Sequence, residues 1–391
     1  MEKTWRWFGP SDPVTLDLLR QIGVEGIVTS LYDLPNGAVW PLERIKALKE
    51  QIETAGLRWS VVESLPVSEA IKYAGPERDT LIANYIASLE NLGRCGIRTV
   101  CYNFMPVIDW IRTELEYPLP DGTFTLYFDF VRFAYFDIYI LERPGARADY
   151  TAEVLAKVDA LSEVITPAER HALVDTIITK TQGFISGNFD AGDTEPVQKF
   201  RDLLALYDGL GKEDLRANLE YFLRAVMPVC ERWGIDLCIH PDDPPLPKVF
   251  GLPRICTDTA DIDWILSCVD NPHNGLTFCA GTLSSGVQND VEAMARRFRD
   301  HTHFVHLRSC ETLPGGDFME APHTGGRAHL PELVRIFEAA GRDLPMRVDH
   351  GKLFPIDRDK GYNPGYSFHG RLLALGQVEG MMAMERNAIC I

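Results

Sequence analysis

Residues 235–243 read IDLCIHPDD, an apolar run of strand length that ends on His240 and breaks at once into a proline-bounded loop. The same arrangement recurs downstream. LTFCA at 276–280 presents Cys279, HFVHLR at 303–308 presents His306 and MRVDHG at 346–351 presents Asp349, each at or near the C-terminal end of a short apolar segment. A (β/α)8 barrel gathers such positions, because all its parallel strands deliver their C-terminal ends to one rim. Sequence distance is then no obstacle to a shared site.

Upstream, VEGIVTS (24–30), RWSVVES (58–64) and RTVCYNF (98–104) alternate with PLERIKALKEQIETAG and DTLIANYIASLENLGRCG, whose apolar spacing suits helices ending near Gly. IDLCIHPDD, PRICTDT (253–259), LTFCAGT, THFVHLRS and MRVDHG bring the strand candidates to eight, and helical patterns around 212–233, 259–269, 287–299 and 329–340 fill the alternation. That count predicts an α/β chain folded as one decorated (β/α)8 TIM barrel over 1–391, in preference to a doubly wound open sheet. Residues 105–211 depart from the spacing and are expected to form an insertion within the barrel, laid over the active rim. FISGNFDAGDTEP (184–196) reads as a connection or cover, and 311–328, with LPGGDF and APHTGG, as a second Gly-rich rim segment.

With 391 residues and 46% hydrophobic composition, the chain can bury a large core. Its 39 Lys and Arg against 56 Asp and Glu leave a formal charge of -17, which opposes a phosphate backbone and argues against nucleic acid as the principal partner. The N-terminal MEKTWRWFGPSDPV lacks the apolar core of a signal peptide, and no run of about 20 apolar residues suits a membrane. The expectation is a cytoplasmic protein without a membrane partner. Nine cysteines in no compact framework, several inside apolar runs, predict buried free thiols.

Each candidate site residue has an ordinary structural reading: His240 as a packing histidine, Cys279 as a core thiol, Asp349 as a loop acceptor. Their joint placement favours a shared site, since two imidazoles, a thiolate and a carboxylate make a mixed N/S/O shell for a borderline divalent ion. Within HFVHLRS, His306 and Arg308 share a face at strand spacing, so Arg308 can anchor a substrate carboxylate beside the ion or form a structural ion pair. His303 has the opposite parity to His306 and is the poorer ligand. His350 follows Asp349 in VDHG, where the Gly allows a turn, and an imidazole there can exchange protons near neutral pH. Tyr366 in NPGYS suits proton donation, because a phenol is a poor base unless cations lower its pKa. Asn103 in CYNFMP offers both donor and acceptor to a substrate hydroxyl. Glu63, ending VVES, and Glu320 and His323 in the second rim segment are further rim candidates without assigned roles.

Together, TWRWFGP (4–10), CGIRTVCYNFMPVIDW (95–110), LEYPLPDG (115–122), HPDDPP (240–245), VDHG (348–351) and NPGYS (363–367) resemble the landmarks of the mannonate dehydratase family of sugar-acid catabolism, within the xylose-isomerase-like barrel group. The resemblance spans nearly the whole chain. It implies dehydration of D-mannonate to 2-dehydro-3-deoxy-D-gluconate with Mn²⁺ or Fe²⁺ and no nucleotide or organic cofactor. It further implies His240, Cys279, His306 and Asp349 as ligands, His350 and Tyr366 as proton-transfer groups, Arg308 as the substrate-binding Arg, and a homo-oligomer of unspecified order. Two other functions stay open on the residues alone: a metal-dependent aldose isomerase, which would not need a carboxylate anchor, and a non-catalytic sugar-acid sensor, which would bind without turnover.

Overall fold

The computed structural model describes residues 1–183, 188–189 and 192–389, so part of the FISGNFDAGDTEP segment lies outside the described residues. Eight parallel strands close into a barrel. In chain order they are Glu2–Arg6, Gly26–Thr29, Arg58–Glu63, Thr99–Tyr102, Asp236–Ile239, Asn274–Cys279, Thr302–His306 and Pro345–Arg347, and the first pairs with the last through Glu2↔Pro345 and Lys3↔Met346.

The number of strands matches the expectation but one member differs. The first barrel strand is EKTWR, and PRICTDT contributes none. Apolar content failed as a guide in both places. EKTWR alternates charged residues that find remote partners: Arg58 and Ser60 both donate to Glu2, and Arg6 reaches Glu63. PRICTDT contributes only Pro253 to a two-residue antiparallel strand, and then wraps a carboxylate, with the backbone N–H groups of Ile255 and Cys256 donating to Asp242 Oδ2 at 3.2 and 2.9 Å.

The predicted helices form at Leu42–Thr54, Arg78–Arg94, Lys212–Trp233, Thr259–Cys268, Val291–Phe298 and Leu330–Glu338. Their apolar faces pack on the outside of the strands in one large core. A second, small cluster of Val28, Val61, Cys101 and Phe304 plugs the barrel interior. Because strand side chains alternate, the residues two positions further along face the same way and emerge above the plug. Val61 is thus followed by Glu63, Cys101 by Asn103 and Phe304 by His306, which puts polar groups at the C-terminal mouth.

The interval 105–211 begins after the fourth strand and carries a hairpin, Glu114–Pro118 with Phe124–Phe128. Two short strands from the other rim segment, Ser309–Thr312 and Phe318–Ala321, join it in one four-stranded antiparallel sheet. Phe128 stacks on Phe318 with ring centroids 5.0 Å apart. Glu320, two residues after Phe318, shares its buried face. The interval is also tied down by Glu69, which accepts from Lys72 Nζ at 2.7 Å, from Val107 N at 3.0 Å and from the Tyr207 hydroxyl. Among the described residues, no helix is long and apolar enough to cross a membrane.

Candidate active site

His240, Cys279 and His306 leave the fifth, sixth and seventh barrel strands and present donor atoms that all lie within 4.8 Å of one another. His240 Nδ1 is 2.7 Å from the Pro241 carbonyl, which fixes the proton there and leaves Nε2 with its lone pair. His306 Nε2 is buried and has no hydrogen-bond partner. Burial holds both imidazoles below the ordinary histidine range, His306 most strongly, and a neutral ring is the form that binds a cation. Two imidazoles and a thiol whose donor atoms lie within 4.8 Å of one another make a set that suits a borderline divalent ion.

Asp349 stands beside the three donors, with Oδ2 3.8 Å from both Cys279 Sγ and His306 Nδ1. Its φ of +59° is left-handed, a conformation that L-residues with a Cβ adopt at a cost of about 1–2 kcal/mol. That turn lets consecutive residues serve the site, and both Asp349 and His350 line the same cavity. The carboxylate is already engaged. Arg308 Nε donates to Oδ2 at 2.6 Å, and Arg347 Nη1 donates to Oδ1. Burial alone would raise its pKa, but Arg347, His350 and Arg308 outweigh that and hold it well below the usual carboxylate range.

Arg308 has a different occupation from the free fork expected of a substrate anchor. All three of its nitrogens are taken: Nε by Asp349, Nη1 by Glu320 at 2.9 and 3.1 Å, and Nη2 by Asp243 at 2.6 Å and Thr282 at 3.1 Å. Arg112, from the interval over the rim, closes a buried ring with the same acids, donating to Asp243 Oδ1 and Glu320 Oε1 at 2.8 Å each. Arg347 is equally committed, with Nε and Nη2 on Glu63 at 2.9 and 2.7 Å.

The proton-capable groups face one another across this network. His350 and Tyr366 pack edge to face, with ring centroids 5.1 Å apart. His350 Nδ1 lies 3.0 Å from Glu320 Oε1. Burial pushes the Glu320 carboxyl up, but Arg308, His350 and Arg112 hold it down at about 2, so it stays an acceptor and Nδ1 must donate. The neutral ring therefore keeps its lone pair on Nε2. Tyr366 reaches the site through the turn Asn363-Pro364-Gly365-Tyr366, closed by Tyr366 N donating to Asn363 O at 2.9 Å. Gly365 has φ +82°, and a Cβ there would lie 2.8 Å from His350 Cδ2, so the turn demands glycine twice over. Burial raises the phenol to about 12 despite Arg6 and Arg347, which keeps it protonated.

Asn103 lines the cavity and donates to Asp109 Oδ2 at 3.1 Å. His303, of the opposite parity, instead meets the Pro272 carbonyl at 3.1 Å. His323 holds the Val348 carbonyl at 2.7 Å and does not line the cavity. A partly open cavity of about 50 Å³, lined by His240, Asp349, His350 and Tyr366 but not by Cys279 or His306, has room for a few waters. A larger hollow of about 820 Å³ lies against the hairpin and residues 357–365, but its walls include none of the three metal donors and neither His350 nor Tyr366.

The family profile described as D-mannonate dehydratase (UxuA) matches residues 1–389. Mannonate dehydratases of Chromohalobacter salexigens and a Marinomonas species are each 44% identical to this chain, covering 97% of it and 98% of their own length. The chain belongs to the D-mannonate dehydratase family. The crystal structure of mannonate dehydratase from Streptococcus suis serotype 2 superposes with a TM-score of 0.79 at 34% identity, covering 100% of this chain and 96% of that one. A D-tagatose 3-epimerase-like protein, at 9% identity and a TM-score of 0.52, shares the barrel fold alone.

Within this dehydratase framework, several cavity residues were not singled out from the sequence: Arg6, Asp109, Trp110, Asp243 and Arg347. For Arg6 a signal exists, since it precedes the break at Gly9-Pro10 in TWRWFGP as His240 precedes Pro241. Asp243 and Arg347 give no such signal, because ion pairs to residues more than 60 positions away create their role.

Proposed function

We propose that this barrel mouth dehydrates D-mannonate to 2-dehydro-3-deoxy-D-gluconate, with His350 removing the C2 proton and Tyr366 protonating the C3 hydroxyl as it leaves. The observation that carries the reading is that His240 and Asp349, which belong to or stand beside a metal-capable donor set completed by Cys279 and His306 at the neighbouring strand ends, line one cavity with two proton-transfer groups of opposite character. His350 Nε2 has the lone pair a base requires, because the anionic Glu320 fixes the ring's other proton on Nδ1. Tyr366, kept protonated by burial, is the donor. The enol left after loss of water then tautomerises to the 2-keto acid, so neither redox nor organic cofactor chemistry is needed.

His240, Cys279 and His306, with Asp349 alongside, would hold Mn²⁺ or Fe²⁺, which when bound supplies Lewis acidity toward substrate oxygens and stabilises charge developing next to the carboxylate. Arg308 and Arg112 keep Asp243 and Glu320 ionised and in place. Arg308 is thereby a positioning residue, acting through Asp349 and through Glu320 on His350. Asn103 is placed for a substrate hydroxyl.

The test is anaerobic incubation of protein reconstituted with Mn²⁺ or Fe²⁺ and D-mannonate, following the 2-keto product by mass and exchange at C2 by NMR. Wild type should form product. His350→Asn and Tyr366→Phe should retain fold and metal and lose roughly 10²–10⁴-fold in turnover. Failure of wild type to dehydrate mannonate with either ion removes the substrate assignment, and near-wild-type turnover by both variants removes the proton-transfer roles.

A further inference from the structure

Among the described residues, Arg308 and Arg347 leave no nitrogen for the substrate's carboxylate, since each has every nitrogen committed to protein acids. A third guanidinium lines the same cavity. Arg6, the last residue of the first barrel strand, is 5% exposed, and its Nε is buried with no hydrogen-bond partner. Its Nη1 makes two long contacts, to Glu63 Oε1 and the Tyr366 hydroxyl, each at 3.2 Å, and the Tyr32 phenol also lies against the guanidinium. Glu63 has a second and closer cation, because Arg347 grips both of its carboxylate oxygens. The guanidinium carbon lies over the rings of Phe8 and Tyr366, 5.2 and 5.5 Å from their centroids, which restricts the side chain within the mouth.

We infer that Arg6 is the anchor for the carboxylate of the aldonate, donating to it from Nε and a terminal nitrogen. An unpaired buried guanidinium nitrogen is costly, and a carboxylate is the ligand that satisfies two adjacent N–H donors at once. Arg6 also touches the phenol assigned to donate to the leaving hydroxyl. One residue thereby ties the acid end of the substrate to Tyr366. Stereochemical selection among aldonic acids would follow, since the sugar acid must present its C3 hydroxyl at a fixed reach from the anchored carboxylate.

The inference rests on the dehydratase reading, and the experiment separates the two. D-Mannonate is titrated by calorimetry into manganese-loaded His350→Asn protein, in which turnover is suppressed, with and without Arg6→Gln. Wild-type turnover is measured in parallel. Arg6→Gln should weaken D-mannonate binding on the order of 10- to 100-fold at unchanged manganese content, the range for hydrogen bonds to a charged group. Arg6→Lys keeps charge and length without the fork and should fall between the two, and it is read by the same criterion if Arg6→Gln does not fold. In the wild-type background the same changes should raise KM more than they lower kcat. Affinity within twofold of the parent in both variants overturns the anchor while leaving the dehydratase reading intact. If wild type binds D-mannonate in an Arg6-dependent way but forms no product, the dehydratase reading falls and the anchor stands.

Discussion

Gly365→Ala is the sharpest probe of how the backbone sets His350. The substitution imposes two separate penalties. An L-residue at φ +82° costs about 1–2 kcal/mol in any surroundings. In addition, the new Cβ would lie 2.8 and 2.9 Å from His350 Cδ2 and Cγ and 3.0 Å from Leu126 Cδ1. Carbon atoms prefer about 3.5–4.0 Å, and such overpacking costs roughly 1–3 kcal/mol unless the ring retreats. Retreat breaks the 3.0 Å contact of Nδ1 with Glu320, and displacement of a reacting group by about 1 Å can cost on the order of 100-fold in rate. Gly361 is the matched control, with φ +76° and nothing within 4 Å of an added Cβ. Urea denaturation should show Gly361→Ala losing about 1–2 kcal/mol with turnover near wild type. Gly365→Ala should lose roughly 2–5 kcal/mol and about 100-fold in turnover at unchanged metal content. Equal turnover in the two variants would refute the claim that this turn positions His350.

Burial raises the Cys279 thiol to about 12, and a bound ion would draw it to the thiolate; Cys279→Ser puts a neutral alcohol there, so the affinity for Mn²⁺ or Fe²⁺ measured by chelator competition should fall at least about tenfold, with the barrel's circular dichroism unchanged, and undiminished affinity would remove Cys279 from the ligand set. Glu69 provides a pH test away from the site. Burial pushes its carboxyl up, yet Lys72 and Tyr207 outweigh this and hold its folded pKa below 4.5. A depressed carboxyl contributes stability above its unfolded pKa and loses it as pH falls through the folded one. Urea midpoints should therefore drop more steeply below about pH 4.5 for wild type than for Glu69→Gln, and parallel curves would contradict the assignment.

Much of the site could be read from the sequence because strand ends are local features. An apolar run, a metal-capable residue and a breaking loop lie within ten residues at His240, Cys279, His306 and Asp349. Parity alone separated His306 from His303, which the structure sends to the Pro272 carbonyl. The first strand was not legible, because Glu2 and Arg6 enter the barrel only by pairing with Arg58, Ser60 and Glu63, more than 50 residues on. The rim sheet was not legible either, since its central pairing joins Phe128 to Phe318 across 190 residues.

The sequence by itself determined the alternation of strand and helix, seven of the eight barrel strands and the ends at which chemistry could reside, because side-chain period and turn signals act over a few residues. Tertiary structure decided what each polar group does there. Arg308 has the chemistry of a carboxylate anchor in isolation, yet Asp243, Glu320 and Asp349, brought from three other segments, consume all its donors. Arg6 keeps a free nitrogen for the converse reason: Glu63, its acidic neighbour, is already held through both oxygens by Arg347. A guanidinium is available or spent according to which carboxylates the fold places within about 3 Å of it, and that is fixed by the closed barrel and its rim, not by the residues on either side.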